Sequence, residues 1–112
     1  AKRIFDLTRW FPAEERYSLT SQIRRSSRAV ASMIAEAWAR RRYPAAFISK
    51  LTESLGETME TQSWLDHALT CAYITFAECS DLDAAWQTIG GQINRTIQRS
   101  DTFCRPLSKD GR

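Results

Sequence analysis

The stretch "SLTSQIRRSSRAVASMIAEAWARRRYP", residues 18–44, decides the fold. Its apolar and small residues recur at steps of three or four, which is the period of an amphipathic α-helix. Ser18 is suited to cap the start of this helix, and Pro44 stops it because the residue before a proline avoids helical dihedrals. The spacing therefore predicts a helix of about 22 residues, about 33 Å long. The predicted stripe consists of Leu19, Ile23, Ser27, Val30, Ile34 and Trp38.

Two further stripes follow toward the C-terminus. The first starts after Pro44, which suits the first turn of a helix, and predicts a heptad-like helix of about 30 residues. Its members are Ile48, Leu51, Leu55, Thr58, Gln62, Leu65, Leu69, Ala72 and Phe76. The second begins after the capping-type pair Ser80-Asp81. It consists of Leu82, Trp86, Ile89, Ile93 and Ile97.

A short first helix is predicted before Pro12, because Ile4, Leu7 and Phe11 are helically spaced. The sequence has no alternating strand pattern, no glycine-rich phosphate loop and no repeat. Four helices with short connections predict an all-α, antiparallel up-and-down four-helix bundle. Residues 1–112 are expected to form one domain with a loose tail at about 105–112.

Composition narrows the class of protein further. The three cysteines form no CxxC pair, which argues against a disulfide framework or a zinc knuckle and favours a reducing compartment. No apolar run reaches the roughly 18 residues of a membrane span, and the N-terminus lacks the apolar stretch of a signal peptide. We therefore expect a cytoplasmic protein with no membrane association.

The net charge of +3 conceals an alternation along the chain. Residues 1–42 carry ten Lys/Arg against four Asp/Glu, and residues 43–85 carry one against seven. Residues 86–112 carry five against two. Such opposite segments attract each other within one molecule or between copies of it.

The basic segment suggests a nucleic-acid surface. Its candidate residues are Arg24, Arg25, Arg28, Arg40, Arg41 and Arg42. Arginines on a helix neutralise phosphates and release counterions, which gives salt-dependent and sequence-tolerant affinity. The alternative is a solvated face, or a surface that pairs with the acidic segment and serves assembly or protein recruitment. Arg40, Arg41 and Arg42 also suit the C-terminus of their helix, where cations complement the dipole.

Catalytic and metal sites have little support in the sequence. His67 is the only histidine, and the residue three positions before it is Trp64, whereas di-metal bundle sites use Glu-x-x-His pairs. Cys71 lies one helical turn after His67, but its apolar surroundings favour a core cysteine over a nucleophile. We expect no enzyme, no metal site, no catalytic residues and no cofactor.

Several short motifs together resemble a known family. They are Phe11-Pro12, Glu15-Arg16, "LTSQ" at 19–22, Arg24-Arg25, "IAE" at 34–36 and "WLDHALTCAYI" at 64–74. The chain is similar to the four-helix-bundle proteins encoded in intervening sequences of bacterial large-subunit rRNA genes. That family resembles in fold the accessory protein of diversity-generating retroelements, a basic ring of five that works with nucleic acid and a reverse transcriptase.

The resemblance implies a homo-oligomeric ring, a pentamer, associated with RNA or DNA. It also implies structural roles for four motif residues: Gln22, Glu36, Gly56 and Glu60. The polar side chains of Gln22, Glu36 and Glu60 are expected to form hydrogen bonds that fix helix register or a subunit contact. The second hypothesis is a scaffold that recruits another protein without binding nucleic acid.

Overall fold

A computed structural model describes residues 1–104. It consists of α-helices joined by short turns, with one 3-10 turn at Ala13–Glu15. The helices are α1 (Lys2–Thr8), α2 (Leu19–Ala39), α3 (Pro44–Thr70), α4 (Phe76–Gln98) and α5 (Ser100–Phe103). The predicted loose tail at about 105–112 lies outside the described residues.

Helix α3 lies at the centre of the fold, between α2 and α4. Side-chain bonds join Ser26 to Thr61 and Glu36 to Lys50, so α2 runs antiparallel to α3. No Cα atoms of α2 and α4 lie within 8 Å of each other. The described chain is therefore elongated and flat, measuring 59 × 24 × 17 Å. The predicted all-α, antiparallel bundle is confirmed in this form.

The first helix is much shorter than the other three members of the bundle. Helix α1 packs on the N-terminal half of α2 and also reaches α4 through an ion pair between Arg3 and Asp81. The rest of α2 has no such cover. Ile34 and Trp38 of the predicted stripe are therefore 38% and 49% exposed, whereas Leu19, Ile23, Ser27 and Val30 are buried as predicted.

The buried seam of α3 differs from the predicted stripe. The two share Leu51, Thr58 and Leu65, but the other fully covered positions are Phe47, Ser54, Thr61 and Ala68. These four face α2, as the Ser26–Thr61 bond shows. The predicted positions Leu55 and Gln62 face α4: Leu55 lies against Gly90, and Gln62 bonds to Asp83 and Gln87. Helix α3 packs against α2 on one face and against α4 on the other. The pattern of apolar residues in the sequence indicates only the more apolar of these two faces.

Helix α3 also ends earlier than predicted. Ala72 has φ 61°, and the N–H groups of Ala72 and Tyr73 return to the carbonyls of Leu69 and Ala68, a Schellman turn with alanine in place of glycine. Helix α4 then starts at Phe76 with a capping box between Thr75 and Glu78, not at Ser80-Asp81. Ala72 and Phe76 are accordingly exposed, in contrast to the prediction.

Hydroxyl groups occupy the interface between α2 and α3. Ser26 and Thr61 share a hydrogen bond of 2.8 Å, and both side chains are fully buried. Ser54, one heptad before Thr61 on the same face of α3, is also buried and donates to a backbone carbonyl of its own helix. Small hydroxyl side chains satisfied in this way let two helices approach closely without leaving polar atoms unpaired.

The segment between α1 and α2 is held by the turn that follows α3. The hydroxyl of Tyr73 donates to Glu15 Oε2 at 2.8 Å, and the Tyr73 ring lies 5.5 Å from the buried Phe11 ring. Ser18 is the N-cap of α2 as predicted, but its hydroxyl donates to Glu15 and caps no helical N–H. Hydrogen bonds from Ser18 and Tyr73 lower the pKa of Glu15.

The bond to Glu15 raises the pKa of Tyr73 to about 12. Protonated Tyr73 is the stabilising form, so its contribution to stability is present below the ordinary value of 10 and is lost as pH rises toward 12. We expect one of the three tyrosines to ionise late when phenolate absorbance is followed against pH. Tyr73→Phe should remove this late step, and ionisation of Tyr73 near pH 10 would contradict the prediction.

Candidate nucleic-acid interface

The six candidate arginines fall into three separate groups on α2. Arg24 and Arg28 lie against α1, Arg25 faces α3, and Arg40, Arg41 and Arg42 occupy the connection from α2 to α3. About 25 Å of helix separates the first group from the last. They therefore do not form one continuous patch.

The connection between α2 and α3 places basic and aromatic side chains together. We call Trp38, Arg40, Arg41, Arg42 and Tyr43 the elbow cluster. The Arg41 guanidinium lies 3.8 Å from the Trp38 ring centroid, and its Nε donates to the Trp38 carbonyl at 3.0 Å. That bond confirms the predicted C-terminal capping for Arg41. Four of the five residues line an open cavity of about 500 Å³.

The elbow cluster is open to solvent, and no acidic side chain of the described residues neutralises it. Tyr43 is 61% exposed, and Trp38 meets Phe103 edge-on at 6.3 Å. Within residues 1–104, no acidic side chain forms an ion pair with Arg40, Arg41 or Arg42. The cluster therefore offers three positive charges beside two accessible rings.

Arg24 and Arg28 are held against the outer face of α1. Their guanidinium carbons lie 4.4 Å and 5.6 Å from the Phe5 ring centroid. Arg24 Nε also donates to Thr8 Oγ1 at 2.7 Å. These contacts fix the two side chains to the fold, and Arg28 stays exposed.

Arg25 is bound within the chain by two glutamates of α3. Its guanidinium contacts Glu57 at 3.2 Å and Glu60 at 2.6 Å. Gln22 accepts a weaker bond from Arg25 Nε at 3.4 Å, and Trp64 Nε1 donates to Glu60 at 3.2 Å. We call this group the Arg25 clasp, and it joins α2 to α3 at mid-length.

The clasp changes the acidity of its members. Hydrogen bonds to Glu60 and Glu57 raise the pKa of Arg25. Burial opposes ionisation of Glu60, but the bonds from Arg25 and Trp64 outweigh it and lower the pKa of that carboxyl. Glu57 Oε2 is buried without a hydrogen-bond partner among the described residues, so this carboxylate depends on Arg25.

A second clasp lies nearer the elbow. Lys50 Nζ contacts Glu36 at 3.0 Å and Glu53 at 2.9 Å, and both bonds raise the pKa of Lys50. Two of the motif residues thus form α2–α3 contacts, Glu60 with Arg25 and Glu36 with Lys50, whereas Gln22 bonds to Arg25 within α2. The acidic segment neutralises Arg25 and leaves the elbow cluster uncompensated.

The fourth motif residue, Gly56, has no packing role within one chain. It is exposed inside α3, and a Cβ built there meets no atom within 4 Å. Gly56→Ala should therefore raise the free energy of unfolding by about 0.5–1 kcal/mol through helix propensity, measured by urea denaturation. Lower stability that depends on protein concentration would instead place Gly56 at a contact between copies.

The groups weighed for metal or nucleophilic chemistry do not converge. Within residues 1–104, no three His, Cys, Asp or Glu side chains gather at metal-binding spacing. His67 meets the Trp64 ring edge-on at 6.2 Å. Cys71 is exposed, so its prediction as a core cysteine was wrong; the helix ends there, and its neighbour Ala72 turns the chain outward.

Three residues of the basic surface escaped the sequence analysis. Tyr43 lies directly before Pro44, at the predicted end of the helix. The run Arg-Arg-Arg-Tyr at 40–43 is nevertheless a basic–aromatic signal in the sequence. Arg9 and Arg16 lie outside the helical stripes, so periodicity does not reveal them. Together with Arg24 they line one cavity between α1 and α2.

The fold and this surface define a helical bundle with one basic–aromatic cluster that forms no ion pair with an acid of residues 1–104. A family model described as "23S rRNA-intervening sequence protein" matches residues 1–95. The chain belongs to this family, as the sequence motifs predicted. No curated protein and no solved structure matches the chain. In the described residues, no helix has the length and apolarity required to cross a membrane.

Proposed function

We propose that this protein is a non-enzymatic, self-associating helical bundle that binds single-stranded RNA or DNA at the elbow cluster. The main support is the presence of three arginines, which form no ion pair within the described part of the chain, beside the exposed rings of Trp38 and Tyr43. Arginines neutralise phosphates, and aromatic rings stack on unpaired bases of any sequence. The family description names an rRNA intervening sequence and no activity.

The elbow cluster suits this role better than the middle of α2. Arg25 already binds two glutamates, so a phosphate would have to displace them and leave Glu57 unpaired. A ligand at the elbow displaces no internal ion pair of the described chain. Arg28 is exposed and forms no ion pair within the described chain. It is therefore available for a further phosphate contact.

The test is fluorescence anisotropy of labelled single-stranded RNA and duplex DNA, repeated at several salt concentrations. Removing the charges with Arg40→Glu and Arg42→Glu should flatten the dependence of log affinity on log salt by about 0.7 per lost phosphate contact. Arg41 is kept because it caps α2. A salt dependence that does not change would contradict the proposal.

An aromatic pair supplies the matched control. Tyr43→Ala should weaken binding by about 1–3 kcal/mol if the ring stacks on a base. Tyr17 is 88% exposed but lies at the other end of α2, so Tyr17→Ala should have no effect. If both variants lose the same affinity, or if neither loses any, base stacking on Tyr43 is contradicted.

Self-association is supported by a groove between α3 and α4. Asp66 and Asp83 line it together with Met59 and Phe76, and its volume is about 560 Å³. Met59 and Phe76 are 62% and 74% exposed, so the groove presents apolar side chains to solvent. An acidic, apolar groove complements a basic surface of another copy outside the elbow cluster, as a ring requires.

Analytical ultracentrifugation tests this part of the proposal. Met59→Glu adds a third negative charge to the groove and should shift the protein toward monomers. Ser49→Glu makes the same change in charge at an exposed site of α3 outside the groove, and should leave the assembly intact. A wild-type protein that is monomeric at all concentrations would overturn self-association. In that case the groove belongs to a scaffold that recruits another protein.

A further inference from the structure

A second basic site lies between the end of α1 and the start of α2. It is a cavity of about 350 Å³ whose lining includes Arg9, Arg16 and Arg24. We call it the arginine pocket. No acidic residue of the described chain lines it, and Phe11 and Pro12 contribute an apolar wall. It lies about 25 Å along α2 from the elbow cluster.

The arginines of this pocket are free to bind an anion. Whereas Arg3 and Arg25 form ion pairs, no carboxylate within residues 1–104 pairs with Arg9, Arg16 or Arg24. The nearby carboxylate of Glu15 accepts from Tyr73 and Ser18 instead.

Contacts with Thr8 and Phe5 fix the orientation of the Arg24 guanidinium. Its Nε donates to Thr8 Oγ1 at 2.7 Å, and its guanidinium stacks on Phe5. The Nε bond leaves the two terminal nitrogens for a ligand, in the planar fork that matches two oxygens of a phosphate. An arginine that is already oriented loses less entropy on binding than a mobile one.

Thr20 adds a neutral donor to the same cavity. Its side chain is buried, lines the pocket, and makes no hydrogen bond with the described residues. It lies in the first turn of α2, where the helix dipole adds partial positive charge. Three arginines and one threonine thus line a cavity near the lower end of the range of ligand pockets, about 300–1,000 Å³.

We propose that the arginine pocket binds a phosphate monoester, with Arg9, Arg16 and Arg24 contacting its oxygens and Thr20 donating to it. A monoester carries nearly two negative charges at neutral pH, against one for the diester of a nucleic-acid backbone. Three arginines favour the more highly charged group. The cavity has room for the attached sugar, so the monoester belongs to a nucleotide or to the terminal phosphate of a nucleic acid.

Isothermal titration calorimetry with adenosine 5′-monophosphate, inorganic phosphate and adenosine tests the pocket without relying on the proposed function. We expect saturable binding of both phosphates and none of adenosine. Arg16→Gln should weaken phosphate binding at least about tenfold, the effect of one lost charge-assisted bond. Arg9→Gln provides a second variant. Arg95→Gln makes the same change in charge at an exposed site of α4, outside both basic sites, and should leave this binding unchanged.

A comparison of 5′-phosphorylated and 5′-hydroxyl oligonucleotides identifies the source of the phosphate. Tighter binding of the phosphorylated strand, lost in Arg16→Gln, points to a nucleic-acid end. Nucleotide binding without that preference points to a free nucleotide. Absence of phosphate binding, or equal binding by wild type and Arg16→Gln, would overturn the proposal. Carrying out the test of the elbow cluster with 5′-hydroxyl strands keeps the two proposals separate, because such strands lack the terminal phosphate that the arginine pocket binds.

Discussion

Replacing Phe47 with alanine is expected to lower the free energy of unfolding by about 3–5 kcal/mol, as is usual for a fully buried aromatic side chain. Phe47 is 1% exposed and lies in the first turn of α3, on the face toward α2. Removal of the ring leaves a cavity between α2 and α3. Urea denaturation followed by circular dichroism measures the loss.

Phe76→Ala is the matched control. Phe76 is 74% exposed, so the same truncation should cost almost nothing in the monomer. Measurements at several protein concentrations separate folding from association, because assembly adds stability by mass action. A large loss for Phe76→Ala that does not depend on concentration would restore the predicted stripe and contradict the structure.

The second large effect is expected at the Arg25 clasp. Arg25→Ala should lower the free energy of unfolding by about 2 kcal/mol, since Glu57 and Glu60 lose their partner. The loss is smaller than for a fully buried pair because the Arg25 side chain is 49% exposed. Thermal and urea unfolding at neutral pH measure it.

The pH dependence of this loss identifies its origin. The lowered pKa of Glu60 contributes stability above the ordinary value of 4.5, and that contribution is lost as pH falls. The difference between wild type and Arg25→Ala should therefore shrink in acid. Adding Glu57→Gln and Glu60→Gln should recover part of the stability. A deficit that is the same at every pH would show that lost packing of the arginine stem is responsible.

Arg28→Ala serves as the comparison for Arg25. Arg28 is exposed, and its guanidinium lies over the Phe5 ring at 5.6 Å from the ring centroid. Arg28→Ala should therefore lower the free energy of unfolding by less than about 1 kcal/mol. Equal losses in the two variants would mean that the clasp contributes no more than an ordinary surface arginine.

Periodicity in the sequence predicted the three long helices and most of the buried positions of α2 and α4. It failed where contacts were not apolar. Ser54, Thr61 and Ala68 are buried because small side chains allow α2 to approach, a property that a hydrophobic stripe does not show. The end of α3 escaped because alanine, not glycine, takes the left-handed position of the turn.

The candidate surface was predicted as residue types but not as an arrangement. The sequence indicated six candidate arginines and an acidic segment that could pair with them. It did not indicate that, of these six, only Arg25 forms ion pairs with that segment within the described residues. Which arginine pairs depends on the register between α2 and α3, which the Ser26–Thr61 contact fixes. Arg9 and Arg16 join the basic surface only because the chain folds back between α1 and α2.

The central position of α3 also bears on how the chain folds. Helices α2 and α4 each contact α3 but not each other, so the main helix pairs connect elements that are neighbours in sequence. Such local topology gives a low contact order, which is characteristic of rapid folding. Either helical hairpin, α2–α3 or α3–α4, can form before the other, with the remaining helix adding to a preformed face of α3.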